Sequence, residues 1–160
     1  MTIAVRPAHT SELAEVGELT IDAYAEFMVA DDGYARHLRD AVTRAREAEL
    51  YVAVLDEALA GTVTFCPEGS PWCELAQPGE GEFRMLAVRP SVRGRGVAEA
   101  LVSVCLERSR ELGYQAVVLS TLPDMSAAHH LYQRMGFRRL PERDWSPAEG
   151  VDLIAFRLQL

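Results

Sequence analysis

The stretch Arg89 to Ala98, RPSVRGRGVA, stands between an apolar run, Glu82 to Val88 (EFRMLAV), and a set of apolar residues at helical spacing, Val97, Leu101, Val104, Cys105 and Leu112, that ends at Gly113. The spacing predicts a strand over 82–88 and a helix over 96–112. A second apolar run, Gln115 to Ser120 (QAVVLS), follows at once, so the helix is a crossover long enough to make the two strands parallel neighbours. The loop thus joins a strand to a helix. Gly94 and Gly96 let the backbone turn closely and expose successive N–H groups, and the first-turn N–H groups of the helix have no internal partners. Arg93 and Arg95 add positive charge, and a terminus of this kind suits phosphate.

The rest of the chain follows from the same patterns. Thr2 to Arg6 reads as a short strand, and Thr10 or Ser11, with Glu12 or Glu15 nearby, opens a helix. Leu13, Val16, Leu19, Ala23 and Phe27 mark its apolar face through about Met28, where Asp31-Asp32-Gly33 interrupts. A second helix is expected from Tyr34 to about Glu47, with Leu38, Ala41 and Val42 inward. Leu50 to Leu55 and Ala58 to Cys66, joined through Asp56-Glu57, form an antiparallel hairpin. Pro67 to Gly81 is a Pro- and Gly-rich loop, long enough for a flap as well as for a passive connection. Beyond the central unit, a helix runs from about Met125 to Met135 with Ala128, Leu131, Tyr132 and Met135 on one face, ended by Gly136. Phe137 to Leu140 and Val151 to Leu158 are the last strands. No repeat or linker divides residues 1–160, so one domain is expected. Its fold class is α+β: one mixed, twisted sheet of about seven strands flanked by about four helices.

Composition bounds the function. With 160 residues, 49% of them hydrophobic, the chain can bury about two-thirds of its unfolded surface without a staple. Neither a signal-peptide core nor an apolar run of about 20 residues is visible, which points to a cytoplasmic protein with no membrane partner. Three cysteines, Cys66, Cys73 and Cys105, form no C-x-x-C pair, so no metal is expected. All sixteen basic residues are arginine, which excludes a lysine Schiff base. The net charge of −8 is uneven: residues 1–85 carry sixteen acidic side chains against six arginines, residues 86–160 eight against ten. A negative chain argues against nucleic acid, the positive half holds the phosphate loop, and the acidic half suits a cationic acceptor or simply a solvated surface.

Rival phosphate loops fail on particular residues. A Walker loop needs a lysine, and a dinucleotide fingerprint needs a small residue where Glu99 stands. The pattern Arg93-x-x-Gly96-x-Ala98 after a strand ending LAV instead resembles the pyrophosphate loop of the GNAT superfamily of N-acetyltransferases. A second stretch, Ala128-His-His-Leu131-Tyr132-Gln-Arg-Met-Gly136-Phe137, resembles that family's A-x-x-L-Y-x-x-x-G-F segment. The element order, β-α-α-β-β-β-α-β-α-β-β, is also similar. One position departs: where the family usually has asparagine, seven residues before the tyrosine, this chain has Met125, with Ser126 beside it as a possible hydroxyl contact.

The resemblance implies acetyl-CoA as cosubstrate, admitted between splayed strands 82–88 and 115–120. Backbone groups at Leu86, Ala87 and Val88 would pair with its pantetheine arm, and Arg93, Gly94, Arg95, Gly96, Val97 and Ala98 would grip its pyrophosphate. The acceptor is then a small-molecule or peptide amine, and Tyr24, Glu26, Phe27 and Tyr34 fall where the family's first two helices line the acceptor groove. A homodimer is compatible with the family. Direct transfer needs a neutral amine, yet an amine of pKa about 10.4 is neutral only roughly once in a thousand at pH 7, so a base or water relay is required. The departing thiolate needs a proton, which a phenol can give; Tyr132 takes that role and Glu82, at the start of the central strand, that of base. The alternatives are a non-catalytic acyl-CoA-binding protein of the same fold and a module using the loop for another nucleotide phosphate.

Overall fold

The computed structural model describes residues 2–27 and 33–160. Its strands are β1 (Ile3–Pro7), β2 (Glu49–Leu55), β3 (Ala58–Cys66), β4 (Glu80–Val88), β5 (Ala116–Thr121), β6 (Arg138–Arg139), β7 (Trp145–Ala148) and β8 (Val151–Gln159). The α-helices are α1 (Leu13–Tyr24), α2 (Tyr34–Arg39), α3 (Ala41–Glu47), α4 (Val97–Glu111) and α5 (Ser126–Arg134). The strands form a mixed sheet in the order β1-β2-β3-β4-β5-β8-β6, with β7 against β8. Among the described strands only β4 and β5 pair in parallel, joined by the α4 crossover, as the spacing requires.

The hairpin turns at Asp56 and Glu57, whose φ angles of 52° and 67° are the pair of positive values that a two-residue type I′ connection demands. Two details differ from the sequence reading. The helix expected over 34–47 is broken at Asp40, which leaves helical geometry (φ −82°, ψ 68°) and caps the next segment, its carboxylate accepting from Thr43 N at 3.0 Å and from Thr43 Oγ1 at 2.7 Å. The restart rotates α3: Ala41 is buried as expected, but Val42 is 57% exposed and Arg44 turns inward instead. The segment 141–150, read as a connection, contains β7, which gives eight strands and five α-helices among the described residues where about seven and four were expected. The first helix gives way to a 3₁₀ turn over Ala25–Phe27; its expected end at Met28 and the Asp31-Asp32 step lie outside the described residues.

Apolar side chains cover both faces of the sheet. On one, Phe65, Phe83, Leu101, Cys105, Tyr132 and Phe156 pack beneath α4 and α5. Gly61 permits the close approach of α4, since a Cβ there would meet Ala87 O at 2.8 Å and Val97 Cγ1 at 2.9 Å. On the other face, Val16, Leu19, Leu50, Val52 and Leu59 form one cluster under α1 and α3, and Leu38, Cys66, Trp72 and Met85 a second. The strand β4 serves both. Against β3, Arg84 is opposite Thr64 and Ala87 opposite Thr62, so two residues, Met85 and Leu86, face the single Val63 in a β-bulge. Met85 carries the cost, with φ +54°. The bulge reverses the alternation: Phe83 packs with the α4 face and so do Leu86 and Val88, while Ala87 joins the α1 face.

Candidate active site

Strands β4 and β5 pair only at Glu80 with Ala116, Gly81 with Val117 and Glu82 with Val118. Beyond Glu82 they part. All of β5, from Ala116 to Thr121, pairs with β8 on its other side, while the β5-facing backbone edge of β4 from Phe83 to Val88 has no ladder among the described residues. Leu86, Ala87 and Val88 lie on this open edge. The closed end is clamped by Glu80, 3% exposed, which accepts from Arg143 Nη1 at 2.6 Å, Arg143 Nη2 at 3.1 Å, Arg157 Nε at 3.0 Å and Gln77 N at 2.9 Å.

The open end leads to the start of α4. Gly94 (φ +81°) and Gly96 (φ +86°) take left-handed conformations, and no side chain caps the helix at Gly96. Its first-turn N–H groups are therefore available to an anion, which the helix dipole favours. Val97 is buried against the sheet and Ala98 packs at its margin. Arg93 is turned back onto α1: its Nη1 donates to Glu26 Oε1 at 2.8 Å and its Nη2 to Ala23 O at 3.3 Å. An acidic acceptor residue and a basic loop residue of the sequence reading are thus paired with each other.

Tyr132 sits on α5 over the splay, 4% exposed, in edge contact with Phe83 (6.0 Å between centroids) and tilted against Phe137 and Phe156 (5.8 Å each). Burial raises its phenol well above the usual tyrosine range, so it holds its proton at any physiological pH. The α5 start is fixed by Met125, whose Sδ accepts from Thr121 Oγ1 at 3.6 Å, and by His129, whose Nε2 lies 3.0 Å from Leu122 O. Ser126 is exposed at the helix terminus.

Glu82 faces away from Tyr132, toward α1 and α2, and is fully buried. Its Oε1 accepts three backbone bonds, from Glu74 N at 3.0 Å, Leu75 N at 2.9 Å and Ala76 N at 3.0 Å, while Oε2 is buried without a partner among the described residues. Burial raises its pKa and outweighs the three N–H groups, which lower it. The carboxylate is thus both oriented and more basic than an ordinary glutamate.

The neighbours of Glu82 were not legible as site residues. Arg84, two positions on, pairs with Glu74, donates to Trp72 O at 3.3 Å and lies over the Trp72 ring at 5.5 Å. Tyr24 is within electrostatic reach of Tyr34, Tyr132, Arg84 and Arg44, so the residues chosen from the first two helices do converge, apart from Glu26, held by Arg93, and Phe27, which is half-buried. Arg44 was missed because an arginine on a short helix reads as solvated; the signal was its place three residues after the inward Ala41.

A splayed parallel pair, an open strand edge and an uncapped helix start mark this mixed α/β domain. The chain belongs to the acetyltransferase (GNAT) family, which its residues 14–137 match. It is 31% identical to a mycothiol acetyltransferase of Cellulomonas flavigena over 132 residues, 69% of this chain and 36% of that protein. It is 35% identical to N-acetyltransferase 8B of Homo sapiens over 89 residues, 56% of this chain and 38% of that protein. The chain thus spans little more than a third of the length of these relatives. The PaiA N-acetyltransferase of Thermoplasma acidophilum, solved in complex with coenzyme A, superposes with a TM-score of 0.77 over the whole of both chains at 14% identity, a likeness of fold alone.

Proposed function

We propose that the protein is an acetyl-CoA-dependent N-acetyltransferase that moves an acetyl group directly to a primary amine. The observation that carries this reading is the parting of β4 from β5 at Glu82, with Tyr132 on one side of the gap, Glu82 on the other and the uncapped α4 terminus at its mouth. The residues fit the cosubstrate: backbone edge Leu86 to Val88 for an amide-containing arm, and the 93–98 turn with the α4 N–H groups for a pyrophosphate. When bound, the cosubstrate supplies an acetyl thioester. Ser126 stands at the exposed start of α5 as a hydroxyl for its outer part, where Met125 offers none.

Each side chain has a defined task. Glu82 Oε2, its partner oxygen held by three N–H groups, accepts the proton of the incoming ammonium through a water and leaves a neutral nucleophile. Tyr132 gives its proton to the departing sulfur. A buried phenol is a reluctant acid, but the same low dielectric penalises a thiolate equally, so the exchange remains matched. Tyr24 and Tyr34 line the acceptor side, in agreement with the reading that amines are the acceptors; the particular acceptor, a homodimer and a cytoplasmic setting are parts of the proposal. Release of free thiol from acetyl-CoA in the presence of amines, measured over a panel of amino acids, polyamines, peptides and aromatic amines, tests it. Amine-dependent release supports transfer; coenzyme A binding by calorimetry with no release above the amine-free rate on the whole panel overturns it in favour of a binding protein.

A further inference from the structure

The sheet face under α1–α3 carries an uncommon set of buried polar atoms. Arg44 is fully buried; its Nη1 donates to His37 O, but its Nε and Nη2 have no partner among the described residues. Thr64 Oγ1 and Glu82 Oε2 are the next two buried side-chain atoms without partners, and they lie on the same face. Thr64 is opposite Arg84 on the neighbouring strand, and Glu82 is one diagonal away, on the order of 7–8 Å between backbones. Arg44 is within electrostatic reach of Asp40, Tyr34, Tyr24 and Arg84. Four of the five unsatisfied buried side-chain atoms among the described residues therefore belong to one face of one sheet.

An unpartnered buried charge is costly, and native interiors rarely keep one without an occupant. The chemistry of the atoms defines that occupant. Nε and Nη2 are the edge of a guanidinium that carries two parallel N–H donors, the fork that a carboxylate takes in bidentate fashion. The Thr64 hydroxyl adds a third donor. The charge of Arg84 lies nearby, partly answered by Glu74. Asp40, the carboxylate within its electrostatic reach, is engaged in the α3 cap through Thr43, and burial still depresses the Arg44 pKa to about 10, which an anion on the Nε–Nη2 edge would reverse. Of the tyrosines within electrostatic reach of Arg44, Tyr34 is 40% exposed and Tyr24 is half-buried.

We infer that the acceptor is an amino acid, its carboxylate held by the Nε–Nη2 edge of Arg44 with Thr64 and Arg84 beside it, and its amine presented to Glu82 Oε2. This deepens the transferase reading and rests on it. It also replaces the cationic acceptor suggested by the acidic half of the chain: the one acidic side chain chosen there, Glu26, is neutralised by Arg93.

Binding of product analogues to the coenzyme A-loaded protein tests the inference without turnover. N-acetylglycine and N-acetyl-β-alanine are compared by calorimetry with their neutral carboxamides. The carboxylates should bind at least tenfold more tightly than the amides to the wild type, and Arg44→Met should reduce that ratio to below twofold while coenzyme A affinity stays within threefold. Arg44→Lys, which keeps the charge and loses the fork, should fall between. Equal binding of acids and amides by the wild type, or an undiminished preference in folded Arg44→Met, overturns the inference; should neither variant fold, the wild-type ratio decides alone. Failure of the transferase reading looks different: no acetyl transfer to any amine, whatever the ratio. Transfer to neutral or polycationic amines with no preference for carboxylates leaves that reading standing and sinks this one.

Discussion

Replacing Glu80 by glutamine should loosen the closed end of the splay. The carboxylate is buried and accepts four hydrogen bonds, three of them from Arg143 and Arg157, which tie β4 to β8 and to the turn before β7. The amide has the same shape but no charge, and one of its two positions presents N–H groups to an arginine. Removing one partner of a buried pair costs about 3–5 kcal/mol; here the arginine side chains retain 17% and 27% exposure, so the lower end, about 3 kcal/mol, applies. For a chain of this length that corresponds to a fall in Tm of roughly 6–12 °C. The pH dependence has a definite sign. Burial alone would raise the Glu80 pKa, but the bonds from Arg143, Gln77 N and Arg157 prevail and hold it below the ordinary value. Its stabilisation is then complete above the unfolded glutamate value of about 4.3 and is lost as pH falls through the native one, so the acid-side decline in Tm should be shallower in Glu80→Gln. Thermal melts by circular dichroism from pH 3 to 8, with Arg143→Met and the double variant closing a cycle, measure both effects. A Tm loss below 2 °C at pH 7, or additive single losses, would refute the argument that this cluster clamps the strands.

Tyr132→Phe should keep coenzyme A affinity and lower turnover by about ten- to ten-thousand-fold, since the ring packing survives and only the hydroxyl goes; turnover within twofold of wild type makes Tyr132 a packing residue. Because burial lifts the phenol far above its usual range, the wild-type rate profile should show no alkaline limb from Tyr132 below about pH 10, and a limb there that the Phe variant lacks would contradict this environment. Gly96→Val should weaken coenzyme A binding at least tenfold by calorimetry, because a β-branched residue resists φ +86° at the helix start; it is a cleaner probe than Arg93→Glu, which would also repel Glu26. Asp40→Ala should cost about 1 kcal/mol in urea unfolding through loss of the cap on Thr43, with no change in coenzyme A affinity.

The parts of the fold that repeat locally were legible. Apolar spacing marked β4, α4, β5 and α5, and the order of elements gave the parallel pair at the centre. Glycine positions marked the loop, because a left-handed turn at a helix start has few other solutions. What escaped depends on contacts distant in sequence. The break at Asp40 was hidden because a continuous helix over 34–47 satisfies the same apolar residues; only the cap on Thr43 decides between them. The N–H cradle of residues 74–76 around Glu82 arises from a loop folding over a sheet face, and no short-range period encodes that. Arg93 was legible as a charge beside a phosphate loop but not as the partner of Glu26, 67 residues away.

The extra residue at Met85 acts as a phase shift within one strand. Before it, Glu82 and Arg84 point to the acceptor face; after it, Leu86 and Val88 point to the opposite one, so the two ends of β4 no longer share a single alternation. A change of side chain at either end can therefore alter one ligand's surroundings without re-facing the residues that serve the other. A regular ladder through the same sequence, with no extra residue at 85 and 86, would put Leu86 and Val88 on the same side as Glu82 and Arg84 and link two specificities that the bulge keeps separate.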